Sequence, residues 1–365
     1  MSRLDQELLA ETLSRVANRV KGLLILVVVL DHNDWFRQLA PHVFGPLTFH
    51  VLGFFLLAFS FSEKSLTLDF IASRMARYLV PFWWALALSS MATSLILKSD
   101  MSLLLAIENF LVAAVVGSAS LTKTSAGLYM LWFLPCLFGL ICLLAGADSW
   151  TRKYVPTALY SLALAGHLAI PFIKGVWVAW VPFGLLVAAY VFFLGLVWRQ
   201  CLSFRWAPIW GPLALACFAV CYGYLVVNKV HIELGTLELS ALQNPSTWML
   251  HFLSVFSALL ALVWLADGFK PRGWLERIGE KSMLVYLIHP LSYLVLTKLW
   301  VSPGQAASSS IMLFFHACAT TALAVASAYG LSFLLSRSEV FSCWVTPSTW
   351  RQWPPLSYFR KARAA

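Results

Sequence analysis

The stretch Lys21-Gly22-Leu23-Leu24-Ile25-Leu26-Val27-Val28-Val29-Leu30-Asp31-His32-Asn33-Asp34 runs from a cation, through eight unbroken apolar residues, into a cluster of ionisable groups. At about 100° per residue, the steps from Lys21 to His32 make roughly three helical turns. Both side chains therefore share one face, about 16 Å apart along the axis. If Lys21 marks a membrane surface, His32 lies about halfway through a hydrocarbon layer of roughly 30 Å. A histidine and an aspartate at that depth are costly, and function is the default reason for them. The alternative is a helix that stops near Leu30, with Asp31, His32 and Asp34 wetted in a loop.

Composition supports the membrane reading. Of 365 residues, 60% are hydrophobic, 15% aromatic and 12% charged, against about 25% charged in soluble domains. No long stretch lacks spanning-length apolar segments, so no large soluble domain can be cut out. The net charge of +10 calls for cytoplasmic loops beside anionic lipid rather than nucleic acid. Seven cysteines sit singly, with no CxxC pair, as small packed residues rather than a disulfide framework or a metal site. Asp5, Glu7 and Glu11 interrupt the N-terminus, so no cleavable signal is expected there. Leu4, Leu8, Leu13, Val16 and Val20 recur at helical spacing and predict an amphipathic cytoplasmic segment over 1–20.

The predicted fold class is all-α, a polytopic transmembrane bundle. Its spans are expected at 21–40, 43–61, 78–97, 127–146, 154–173, 177–197, 207–228, 246–266, 282–300 and 310–336. Residues 101–118 form one further re-entrant or short helix, interrupted by Glu108 and Asn109. With the N-terminus inside, this ten-span arrangement keeps 20 of the 26 Lys and Arg on the cytoplasmic side. Letting 101–118 cross as well reverses the bias, against the positive-inside rule. Exchanging the roles of 101–118 and 154–173 preserves the same parity. Both termini are then cytoplasmic in a plasma (inner) membrane, with a membrane domain over 21–336 and a basic tail over 337–365. No internal repeat is evident, which counts against the commonest transporter architectures.

Several motifs in this order resemble the acyltransferase-3 family of integral membrane O-acyltransferases. Lys21 and His32 have the spacing of that family's first-span Arg-x10-His, with Lys for Arg. Gly53-Phe54-Phe55-Leu56-Leu57 resembles its Phe-rich run, followed here by Ala58-Phe59 instead of Ser-Gly. Arg74-Met75-Ala76-Arg77-Tyr78-Leu79-Val80-Pro81-Phe82-Trp83 matches its basic pair before proline and aromatics. Leu131-Trp132-Phe133-Leu134-Pro135 resembles its Trp-Phe-Leu motif. Ile278-Gly279-Glu280-Lys281-Ser282-Met283-Leu284-Val285-Tyr286-Leu287-Ile288-His289-Pro290 resembles its closing segment. The resemblance implies about ten spans, a cytoplasmic acyl-CoA donor such as acetyl-CoA, no metal, and a hydroxyl acceptor on a surface glycan or lipid-linked sugar.

Acyl transfer from a thioester to a hydroxyl needs a base, and imidazole accepts and returns a proton near neutral pH. His32 is the expected base or proton shuttle. Asp31 and Asp34 are candidate orienting carboxylates, although on a straight helix they point about 100° and 200° away from His32. Glu108 is a further candidate. Lys21, Arg74 and Arg77 are expected to meet the donor's phosphates; Arg74 and Arg77 share a helix face, and planar forks suit phosphate. The same cations also fit plain positive-inside anchoring. Trp132, Tyr286 and His289 are candidate substrate contacts, with interface anchoring or an interhelical hydrogen bond as the alternatives. His50, His167, His251 and His316 are assigned to packing. A multipass transporter or lipid-linked glycan flippase, its buried charges lining a translocation path, is the competing function. Acyl chain, acceptor position and oligomeric state have no signature in the chain.

Overall fold

The computed structural model describes residues 3–40, 42–43, 45–46, 48–60, 65–97, 103–126, 129–151, 156–173, 180–202, 210–268, 273–299 and 310–347. Its helices are α1 (Arg3–Asp31), α2 (Asp34–Leu39), α3 (Phe49–Phe59), α4 (Leu68–Leu97), α5 (Leu103–Val116), α6 (Ala119–Ala126), α7 (Phe133–Thr151) and α8 (Pro156–Ala169). They continue as α9 (Leu185–Leu202), α10 (Trp210–Val227), α11 (Pro245–Gly268), α12 (Trp274–Glu280), α13 (Ser282–Leu299), α14 (Ser310–Leu335) and α15 (Glu339–Trp344). Among the described residues the sole β feature is an isolated bridge between Glu233 and Glu238. The all-helical expectation holds.

Among the described residues three helices, α10, α11 and α14, are long and apolar enough to cross a bilayer on that ground alone. Of the other expected spans, 78–97 lies within the 30-residue α4, whereas some form shorter helices. The 43–61 segment is helical over Phe49–Phe59, because Gly45 and Pro46 precede it and favour turns. The two segments whose roles could be exchanged, around 101–118 and 154–173, each give a helix of 14 residues. That length reaches about 21 Å, short of a hydrocarbon layer. Gly117, at φ 65°, ends the first of them, in a conformation that favours glycine.

The chain divides into two compact units. The first holds Met1–Leu57, Ser203–Ile232 and Ala241–Leu334; the second holds Ala58–Leu202, Glu233–Ser240 and Leu335–Ala365.

In the first unit α1 packs on α11, α12 and α13. Its inward stripe is Ala17, Val20, Leu24, Ile25, Val28 and Val29, all buried at the three-to-four-residue period of a helix face. From Arg3 on, the segment expected to be amphipathic is continuous with this helix, since α1 runs unbroken from there. Inside a bilayer, close packing holds helices together, and small residues permit it. The α1–α12 seam shows this. A side chain at Gly22 would run into the Leu275 carbonyl, and one at Gly279 into the Asn18 carbonyl. Beside the seam, Arg19 Nε pairs with Glu276 Oε2 at 3.4 Å, both side chains nearly buried. Arg19 Nη1 also donates to the Ala266 carbonyl at 3.0 Å.

The second unit is built from α4 to α9 with α15. The Trp83 indole donates to the Ala114 carbonyl at 2.9 Å, joining α4 to α5. Arg199 meets Asp148 at 2.7 Å, joining α9 to α7. A cavity of about 820 Å³ opens among Ile71, Phe138, Cys142, Gly146, Leu162 and Phe192. All seven cysteines of the chain are free thiols.

Candidate active site

The site of interest is built where α1 breaks. Asn33 lies just past the helix and is fully buried. Its side-chain oxygen accepts from the backbone N–H groups of Trp35 at 2.9 Å and Phe36 at 3.4 Å, capping α2 as Asn does well at helix starts. Its amide nitrogen donates to the Ala317 carbonyl, Thr320 Oγ1 and Thr321 Oγ1, at 2.9, 2.9 and 2.6 Å. One asparagine thus turns the chain immediately after His32 and ties that turn to α14. The helix ends at Asp31, one residue past Leu30, as the alternative reading had it; Asp34 is exposed, while Asp31 and Asn33 are buried rather than wetted.

His32 is half-buried. Its Nδ1 lies 2.7 Å from the Val28 carbonyl. A ring nitrogen facing a carbonyl must carry the proton, so Nε2 is the basic nitrogen of the neutral ring. On α13, His289 repeats the arrangement: its ring is buried and its Nδ1 lies 3.1 Å from the Val285 carbonyl. The ring centroids of His32 and His289 are 5.3 Å apart, with the planes inclined at 55°. Tyr286 and Tyr293 approach the His289 ring at 6.0 and 6.4 Å. The Tyr293 hydroxyl donates to the Val29 carbonyl at 2.9 Å, fastening α13 to the last turn of α1. Pro290 supplies no N–H for the turn behind His289.

Of the candidate carboxylates, Asp31 is buried and engaged with Arg37 and His50. Its Oδ1 meets Arg37 Nη2 at 3.2 Å, and its Oδ2 lies 3.7 Å from His50 Nε2. Arg37 Nε also donates to the Asp31 carbonyl. Asp34 is exposed at the start of α2. Lys21 sits three turns below His32, half-buried beside the α12 seam, its Nζ 3.2 Å from Asn18 Oδ1.

The remaining candidates belong to the second unit. Glu108 is exposed on α5. Arg74, half-buried on α4, lies over the Phe70 ring at 5.0 Å, and its Nε is buried without a hydrogen-bond partner among the described residues. Arg77 is exposed and lies over Tyr78 at 5.8 Å. Trp132 is buried, with its indole nitrogen against Gly235.

Four residues of this site carry more than the sequence reading gave them: Asn33, Arg37, His50 and Tyr293. A buried ionisable group in an apolar run was the available signal for His50, which the reading assigned to packing. The packing assignment suits the other three histidines. His251 hydrogen-bonds Thr48 at 2.6 Å, His167 bonds the Tyr190 carbonyl at 2.7 Å, and His316 stacks on Trp35 at 4.7 Å.

A family described as an acyltransferase domain matches residues 17–335, from the middle of α1 to the end of α14. No curated protein and no solved structure matches the chain. The match takes in Lys21, His32, the Arg74–Trp83 motif, Trp132 and the segment closing at His289. The chain belongs to the acyltransferase-3 family and is a membrane acyltransferase.

Proposed function

We propose that this protein is an O-acyltransferase that moves an acyl group, acetyl in the simplest case, from cytoplasmic acyl-CoA to a hydroxyl of a polysaccharide or glycolipid sugar. The observation that carries the reading is the His32 ring, whose Nδ1 proton is committed to the Val28 carbonyl. That leaves Nε2 as the proton acceptor at the break of a membrane helix. In the reaction, the acceptor oxygen attacks the thioester carbonyl carbon while its proton passes to His32 Nε2. The C–S bond then breaks, and the thiolate takes the proton from His32, so the base is regenerated. Such a base contributes about 10²–10⁴-fold to rate.

Ten spans with both termini cytoplasmic complete the proposal, since Lys21 then faces the compartment of the donor. Arg74 and Arg77 on α4 and Lys21 on α1 are assigned to the donor's phosphates. The buried Nε of Arg74, without a hydrogen-bond partner among the described residues, supports the assignment of that residue.

The test is transfer of label from [¹⁴C]acetyl-CoA to candidate glycans by the purified protein in lipid. Expected is an alkali-labile ester on a sugar hydroxyl, with release of one thiol per ester. Arg74→Ala combined with Arg77→Ala should weaken acetyl-CoA binding about tenfold or more and leave glycan binding nearly intact. Glycan crossing the bilayer in vesicles with no ester formed would replace this reading with a flippase.

A further inference from the structure

His289 has no part in the scheme above, yet it sits in an unusual state. Its ring is fully buried and Nδ1 is occupied by the Val285 carbonyl. Among the described residues, Nε2 has no hydrogen-bond partner. A buried acceptor left unsatisfied is unfavourable, and a leucine would fill the same space without that cost. The nearest imidazole is His32, at a centroid separation of 5.3 Å. That is close to the separation two imidazoles take when a ring N–H of one meets a ring nitrogen of the other at about 3 Å.

Both rings are fixed in the same tautomer by the carbonyl four residues earlier on their own helices. While both are neutral, each offers a lone pair on Nε2, and the two cannot bond to each other. Once His32 has taken a proton on Nε2, the adjacent ring carries a donor that can pair with this acceptor. We propose that His289 is the positioning residue for the His32 imidazolium. Its Nε2 accepts a hydrogen bond from His32 Nε2–H during the interval between proton abstraction from the hydroxyl and protonation of the thiolate. The proton that leaves the hydroxyl is the one that ends on the thiol; His289 shares it and keeps none.

This role rests on the proposed use of His32 as base. The other polar groups at the pair are assigned elsewhere. Asp31 faces Arg37 and His50, Asp34 is exposed, and Tyr293 bonds the Val29 carbonyl. His316, from α14, stacks on Trp35. Tyr286, on the same helix as His289, contacts its ring at 6.0 Å.

The experiment compares wild type, His289→Leu and His289→Gln in the full chain in lipid nanodiscs, with ¹⁵N-labelled histidine. Glutamine keeps an acceptor oxygen at the reach of Nε2; leucine removes it. In mildly acidic buffer, the wild type should give one far-downfield N–H proton coupled to ring nitrogens of both histidines. That signal should vanish in His289→Leu and in His32→Ala. In turnover, His289→Leu should lower kcat about 10- to 100-fold with an unchanged Kd for acetyl-CoA, and His289→Gln should recover most of the loss. Absence of the shared-proton signal in folded wild type would overturn the proposal whether or not turnover is seen. So would an unchanged kcat in His289→Leu, or equal losses in the leucine and glutamine variants. Failure of the base assignment itself would read differently: His32→Ala would then retain full transfer.

Discussion

At the scale of single residues, the site is governed by how nitrogens and oxygens are committed. His32 could be picked out from sequence because an ionisable group after eight apolar residues is expensive, and function is the common reason to keep it. Asn33 could not, because its importance lies in three acceptors on α14, nearly three hundred residues away in sequence. Replacing Asn33 with leucine should remove the donor that the Ala317 carbonyl, Thr320 and Thr321 share and uncap α2. The expected cost is about 1–3 kcal/mol of stability, read as a lowered unfolding midpoint in detergent with a matching fall in activity. Asp31 was a natural candidate partner for His32, but its 100° offset on the helix directs it to Arg37 and His50 instead. Asp31→Asn should therefore leave the tautomer of His32 unchanged, as read by its ¹⁵N shifts, while loosening the Arg37 contact. A changed His32 tautomer in that variant would show that Asp31 orients the base after all.

At the scale of elements, the α1–α12 seam fixes the Lys21 end of α1, and α13 with Tyr293 fixes the His32 end. Gly279 was visible in sequence as part of a motif, but its reason was not. It lies where α12 touches the backbone of α1 at Asn18, which leaves no room for Cβ. Gly279→Leu should push the helices apart and abolish folded protein or transfer. Glu276→Gln should be milder, because it removes the charge facing Arg19 and keeps a hydrogen-bond acceptor. Breaking a buried pair by deleting one partner costs about 3–5 kcal/mol, so Glu276→Ala should be the more damaging of the two in a thermal melt. Helix lengths were less legible than helix positions. Hydropathy marks where apolar segments lie but not where a glycine or proline ends them, as at Gly117 and before Phe49.

At the scale of the whole molecule, the all-helical class and the membrane setting follow from 60% hydrophobic and 12% charged residues. The two compact units were not legible, because each is assembled from segments far apart in the chain. Hydropathy reports burial against lipid or protein alike and says nothing of which helices cluster. The ten-span proposal makes a direct prediction about sides. A cysteine replacing Lys229 should react with an impermeant thiol reagent in intact cells, and one replacing Arg337 should react only after permeabilisation. The background is set by a parent lacking the seven native cysteines. The reverse pattern would place the donor's compartment opposite to Lys21.

The claim on which everything else depends is that His32 takes the acceptor's proton in an acyl transfer. A rapid-mixing experiment with excess enzyme in lipid, labelled acetyl-CoA and the glycan acceptor isolates that step from product release. Wild type should form the sugar ester in a single exponential. His32→Ala, with an unaltered melting profile and unaltered acetyl-CoA binding, should form it about 10²–10⁴-fold more slowly. Ester formation by His32→Ala at the wild-type rate would contradict the account.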